Sequence, residues 1–416
     1  MAPLDRPAAE EAGRRAVAEL RALHAATSDA DGGADRLAWT PGWTAARAWL
    51  IARLDALGVA HECDEAGNLW APLAGREQGT VVVGSHLDAV PDGGWLDGTL
   101  GVLAGLAALR ELAAGPRPRR GVALVDWADE EGARFGHSLL GSSAAAGTLD
   151  VARVAELRDR DGLRLADVLA GHGVEVAAMT RARSRLEGVR AYAELHIEQG
   201  PVLDAAEVGL GVVSGTLGVE RHAFAFSGHA SHAGGTPMEL RRDALASAAR
   251  LALAAREAAR AHGGVATCGR IDADPGVATA IAGTAELLLD LRHAQAPALA
   301  AMLDQTRRAA AEIARAEGTA VAERPLQRIA PVAFDGELTA LAHDAAAEAV
   351  GAPVPTLPSG PLHDAAAVAA AGVPAAMLFV RSLGGVSHSR AEDSRPDDLA
   401  AGVRALARLT RALAER

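Results

Sequence analysis

The sequence predicts an α/β protein of two domains. One is a mostly parallel sheet covered by helices on both faces. The other is an inserted unit of ferredoxin-like order, β-α-β-β-α-β. Three observations carry this expectation. First, residues 80–84 (TVVVG), 121–126 (GVALVD), 191–195 (AYAEL) and 375–380 (AAMLFV) are continuous apolar runs. Strands read this way when both faces of a parallel sheet are covered. Second, helical patterns such as 102–114 (VLAGLAALRELAA) lie between them, and strands alternating with helices give a parallel sheet. Third, the middle of the chain changes order. Residues 219–227 read as a strand, 240–262 as a helix, 265–271 and 286–292 as strands, 296–317 as a helix and 320–323 as a last short strand. The inserted domain is therefore expected at 213–328, and the first domain at 1–212 and 329–416.

Length and composition agree with this plan. A chain of 416 residues is long for one core. Half of its residues are hydrophobic, and the 23% that are charged are well mixed, unlike a disordered acidic chain. A net charge of −12 argues against a nucleic-acid partner, which calls for a basic face. Cys63 and Cys268 lie far apart with no Cys-x-x-Cys spacing. Neither a thiolate zinc site nor a disulfide framework is indicated, and a reducing, cytoplasmic setting is expected. The N-terminal residues alternate acid and base, unlike a signal peptide. The most apolar stretch, 365–380, is too short for a membrane span and contains Pro374. No membrane partner is expected.

Each predicted strand is followed by ionisable residues: SHLD, WADEE, HIEQG and, after a short loop, SHS. Ligands of open α/β sheets bind at the carboxyl ends of strands. His86 and Asp88, two apart at a strand end, should share a face, with Asp88 accepting from the second ring nitrogen of His86. Asp97 follows in a glycine-rich turn. Asp129, Glu130 and Glu131 are three adjacent acids beside a buried strand. Their repulsion is relieved by a divalent cation. One glutamate can ligate it while its neighbour stays free to take a proton from water. His196 and His388 supply two further nitrogens. Imidazole with carboxylate suits zinc, manganese, cobalt or nickel, with zinc first. Five groups (His86, Asp97, Glu131, His196 and His388) exceed what one open catalytic zinc takes. They fit two divalent ions if Asp97 bridges. In the inserted domain, His229 and His232 sit in a loop after a strand. Arg292 ends a strand and is either a fork for a carboxylate or a partner for Asp290.

Taken in order, GSHLDAVPDGGWLDGTLGV, DEEGARFG, ELHIEQGPVLD, GHASHAGGTPMELRRDA, LDLRH and GGVSHSRAE resemble the hydantoinase/carbamoylase family, within the dinuclear metallo-aminoacylases and carboxypeptidases. That family includes N-carbamoyl-L-amino-acid hydrolases, β-ureidopropionases of the bacterial and yeast type, and allantoate amidohydrolases. The resemblance implies one metal on His86, Asp97 and His196 and another on Asp97, Glu131 and His388. It implies Glu130 as general base. Gln199, His229, Thr279 and Arg292 would lie on the substrate, with Arg292 holding its carboxylate. His232, from the same chain or a partner's, would stabilise the oxyanion. The inserted domain would serve as lid and dimerisation domain of a homodimer.

Three positions depart from the family pattern: Gly235 for a threonine, Thr279 for an asparagine and Leu362 for a glycine. The reading is thus a metal-dependent hydrolase of linear, non-peptide carbon–nitrogen bonds, acting on small carboxylate-bearing ureido or N-acyl compounds. N-carbamoyl-L-amino acids come first and allantoate second. A dipeptidase or aminoacylase is disfavoured by His196, where many of those enzymes use a carboxylate. A catalytically silent metal-binding scaffold is the rival from another class.

Overall fold

The computed structural model describes residues 6–416. They form two compact units, one made by the chain up to Gly215 together with Phe334–Arg416 and the other by Thr216–Ala333.

The first unit is built on a mixed sheet. Four strands at its centre run parallel, in the order Gly121–Trp127, Thr80–His86, Val189–Ile197 and Ala375–Val380. Antiparallel strands flank them, Leu69–Leu73 beside Gly121–Trp127 and Leu210–Thr216 beside Ala375–Val380. All four apolar runs expected as strands are strands, and two lengthen into the polar residues that follow. Both faces are covered. Val81 and Val83 pack into one core cluster with the helices Arg6–Thr27, Thr99–Ala114, Gly336–Val350 and Pro396–Ala414. Val82, buried on the opposite side, points away from them. Parallel pairing brings the strand ends to one edge. Val83 pairs with Ala193, so His86 and His196, three residues on in each strand, stand level. His86 also pairs with Trp127, and Val380 with Ile197.

The inserted unit is a four-stranded antiparallel sheet. The spatial order is Ala320–Ile329, Gly218–Ser227, Thr284–His293, Val265–Asp274. Numbered along the chain this is 4-1-3-2, the order of the β-α-β-β-α-β unit. Helices Ala244–His262 and Ala296–Glu317 cover one face, closing a core around Phe224, Phe226, Leu251, Leu287 and Met302. Two helix or strand bounds in this unit differ from expectation by more than three residues. The first helix begins at Ala244, not at residue 240, because the Asp243 carboxylate accepts from the Leu245 and Ala246 N–H groups and caps it there. The last strand runs on to Ile329 through Pro325, which an edge strand with a bulge at 325–327 accommodates. Among the described residues no helix is long and apolar enough to cross a membrane.

Candidate metal centre

His86 and His196 end adjacent strands and are almost fully buried. In each ring Nδ1 lies 3.0 Å from a backbone carbonyl, that of Asp88 for His86 and of Ile197 for His196. A carbonyl only accepts, so in the neutral ring Nδ1 carries the proton and Nε2 keeps its lone pair for a cation. The partner of His86 expected from the spacing, the Asp88 carboxylate, is not the one found. That carboxylate is 3.7 Å from Nδ1. It accepts instead the backbone N–H groups of Glu130 at 3.2 Å and Glu131 at 3.1 Å. The strand stops at His86, so alternation no longer fixes where Asp88 points. Its work is to hold the two-glutamate turn.

Asp97 lies between two sets of side chains. Its Oδ1 is 3.2 Å from Nε2 of His196 and 3.9 Å from Nε2 of His86. Its Oδ2 is 3.2 Å from Nε2 of His388, which is in turn 3.5 Å from Oε2 of Glu131. In each trio, His86–Asp97–His196 and Asp97–Glu131–His388, one ligand atom per residue lies within 4.8 Å of the other two. Ligands about 2.0–2.1 Å from a tetrahedral ion stand about 3.3 Å apart, so both trios fit a cation. Glu131 Oε1, buried without a hydrogen-bond partner, offers a further free acceptor. Gln199 donates to Asp97 Oδ2 at 3.0 Å. Glu130 Oε2 is 3.7 Å from Nε2 of His86 and stands outside both trios. A third trio, Glu194–His196–His363, meets the same distance condition. The Glu194 carboxylate there is already occupied by Ser85, Tyr192 and the Ala365 N–H.

His229, His232, Thr279 and Arg292 lie in the inserted unit. His232 sits in a short strand opposite Ala280, and the Ala233 N–H donates to the Thr279 carbonyl at 2.9 Å. Nδ1 of His232 accepts from the N–H groups of Gly234 and Gly235, which leaves its proton on Nε2. The Gly235 contact is made by backbone, so the departure there leaves it intact. The backbone N–H of His229 donates to the Arg242 carbonyl at 2.9 Å. Arg292 grips Asp290 at 2.8 and 3.3 Å, and Asp290 also accepts from Arg221 at 2.6 Å.

The sequence matches Peptidase family M20/M25/M40 over residues 82–412. It is 37% identical over 406 residues to the N-carbamoyl-L-amino acid amidohydrolase of Geobacillus stearothermophilus, a match covering 95% of this chain and 97% of that protein. It is 33% identical over 392 residues to the allantoate amidohydrolase of Bacillus subtilis (strain 168), covering 93% and 94%. The crystal structure of an amidase of the hydantoinase/carbamoylase family from Burkholderia multivorans superposes with a TM-score of 0.88 at 32% identity, over 97% of this chain and 98% of that one. The chain belongs to the hydantoinase/carbamoylase amidases of family M20/M25/M40. It is accordingly a hydrolase of carbon–nitrogen bonds other than peptide bonds.

In this amidase the electrostatics follow from crowding buried carboxylates. Burial, then the charges of Asp364, Glu131 and Asp88, raise the Glu130 carboxyl well above its usual range. Burial, then Asp97 and Asp88, do the same to Glu131. Burial also pushes Asp97 up, but hydrogen bonds from His196 and His388 together outweigh it and hold Asp97 well below its usual range. Burial lowers His196, yet its bond to Asp97 prevails and lifts it to about 9. So the metal-free site draws positive charge from its own histidines. Three residues around the site, Asp129, Gln199 and His388, hold a left-handed backbone with φ between 52° and 56°. Such strain gathers at functional sites.

Two supporting residues escaped the sequence reading. Arg36 is fully buried, and burial pulls its guanidinium down to about 10 against the opposing charges of Glu392, Asp97 and Asp88. It donates to the carbonyls of Leu87 and Gly94 and to the Thr99 hydroxyl, bracing both sides of the Asp97 turn. Trp39 donates its indole N–H to Asp129 at 3.1 Å, steadying the acidic turn from behind. Nothing local in RLAW marks either residue, since the bonds that brace the two turns span at least fifty positions.

Proposed function

We propose that the protein hydrolyses the ureido carbon–nitrogen bond of N-carbamoyl-L-amino acids, using two divalent cations, zinc first and otherwise manganese, cobalt or nickel. The observation that carries this is Asp97, whose Oδ1 and Oδ2 each stand 3.2 Å from the ring nitrogen of a different histidine. His86, Asp97 and His196 would hold one ion, and Asp97, Glu131 and His388 the other. Ions so held supply Lewis acidity, polarising the carbonyl and lowering the pKa of water. Their charge would offset the burial and the neighbouring carboxylates that raise Glu130, so that Glu130 would be ionised. Glu130 then takes a proton from the attacking water. As the bond between the carbonyl carbon and the amino-acid nitrogen breaks, Glu130 returns the proton to that nitrogen. The carbamate released falls apart into ammonia and carbon dioxide.

Gln199, bonded to Asp97, is assigned to orienting the substrate. His232, with its proton on Nε2, is assigned to donating to the tetrahedral oxyanion, and His229, Thr279 and Arg292 to the substrate's other polar groups. A cytoplasmic homodimer joined through the inserted unit completes the reading. Allantoate is the second substrate, favoured because relatives named for either activity match almost the whole chain. A panel of N-carbamoyl-L-amino acids, N-formyl amino acids, allantoate and a dipeptide, assayed on metal-reconstituted protein, tests this. Cleavage of N-carbamoyl-L-amino acids is expected. Cleavage of allantoate alone overturns the first choice, and cleavage of the dipeptide alone overturns both.

A further inference from the structure

We propose that Glu392 is a positioning residue that ties the loop bearing His388 to the turn bearing Asp97, and so builds the second cation position before an ion arrives. This rests on the two-cation reading above. Glu392 is 2% exposed, and three donors occupy its carboxylate. Oε1 accepts the backbone N–H groups of Leu96 at 2.9 Å and Asp97 at 3.1 Å. Oε2 accepts the Ser387 hydroxyl at 2.7 Å. One side chain thus joins segments nearly three hundred residues apart, each carrying one proposed ligand of the same ion.

The second position needs such a tie more than the first. His86 and His196 end buried strands, which fix them by packing. His388 has a side chain 49% exposed and sits at φ 52° on a loop, set by its contacts to Asp97 and Glu131 and not by burial within a strand. The residue just before it, Ser387, is where Glu392 takes hold. Ser387 also receives a bond from Gln199 Nε2 at 3.3 Å and lies 3.4 Å from Asp97 Oδ2. The facing turn is shaped around the carboxylate. A Cβ added at Gly94 would stand 2.0 Å from Glu392 Oε1, too close for any side chain. Glu392 belongs to none of the trios able to hold a metal, so its part is support.

Equilibrium dialysis of metal-free protein against zinc ion separates this from a general structural role. The parent is expected to take two ions per chain. Fewer than two in the parent overturns the two-cation reading itself, whatever Glu392 does. Given two in the parent, Glu392→Ala should keep one ion at nearly parental affinity and lose about 10–100-fold on the other. Glu392→Gln should restore both, because its carbonyl oxygen can accept the two N–H groups while its amide meets the Ser387 oxygen. Equal affinities in parent and Glu392→Ala, equal losses on both ions, or a Gln variant as weak as Ala would each overturn the proposal. Should Glu392→Ala fail to fold, Ser387→Ala removes the loop-side bond to Glu392, together with the longer contacts of that hydroxyl to Gln199 and Asp97. It should weaken the same single ion, and an unchanged pair of affinities would overturn the tie.

Discussion

Replacing Glu130 by glutamine separates its chemistry from its place in the fold. Glutamine has nearly the same shape, and the backbone N–H of residue 130 keeps its bond to Asp88. Glu130 is in neither trio around Asp97, so two ions should still bind. What disappears is a base 3.7 Å from Nε2 of His86. A positioned general base contributes about 10²–10⁴-fold, or about 3–5 kcal/mol of barrier. We expect kcat to fall by that factor at an unchanged metal count, with little change in KM. Stability should move the other way. Burial and neighbouring carboxylates disfavour the charged form of Glu130, so a neutral amide should leave the metal-free Tm unchanged or raise it. Steady-state ammonia release, metal analysis and thermal unfolding of parent and variant together make the test. Turnover within about tenfold of parent, with both ions present, would refute the assigned role.

The metal-free protein should lose stability as pH rises. Burial raises Asp88 and Glu392 to about 6, and burial with the Asp88 charge raises Asp129 to about 8. Unfolded carboxyls titrate near 4, so the folded chain holds more protons between about pH 4 and 8 and its unfolding free energy falls across that window. His196, at about 9, adds a loss of the same sign above pH 6.5. Calorimetry should therefore give a lower Tm at pH 8.5 than at pH 5.5 without metal, and a smaller gap with divalent ions; the opposite order would contradict this. Arg47→Ala breaks a buried ion pair with Asp126 at 2.6 Å and uncovers Trp43, over whose ring Arg47 lies at 4.1 Å. It should cost about 3–5 kcal/mol in urea unfolding, and a cost below about 1 kcal/mol would show the pair to be dispensable. Gly98→Ala places a Cβ 2.3 Å from the His86 ring at a position with φ 61°. Zinc affinity should drop, whereas Gly32→Ala, at φ 84° with open space around it, should leave affinity unchanged.

The strand ends were legible because burial on both faces leaves an unbroken apolar run, and the first ionisable residue after it marks the edge. That is how residues 86, 130, 131 and 196 could be singled out. His388 follows its strand by eight residues and was legible only as part of a motif. Periodicity misled at Asp88, because the strand ends before it and the carboxylate swings to the acidic turn. The helix start at 244 was hidden by a run, MELRRD, whose first residues form a separate turn before Asp243 takes the cap. Arg292 illustrates a different limit. A strand-terminal arginine two residues from an aspartate admits two partners, and in the structure the aspartate is one of them. Glu392 closes the GGVSHSRAE motif, but its supporting role, like that of Arg36, was not legible because the bonds join segments remote in sequence.

Everything in the proposed chemistry depends on Asp97 bridging two cations. The direct measurement is anomalous diffraction at the zinc edge from crystals of the zinc-loaded protein. Two peaks about 3.5–4 Å apart, one against His86 and His196 and the other against Glu131 and His388 with Asp97 between them, are the expected result. A single peak, or one seated among Glu194, His196 and His363, would contradict it.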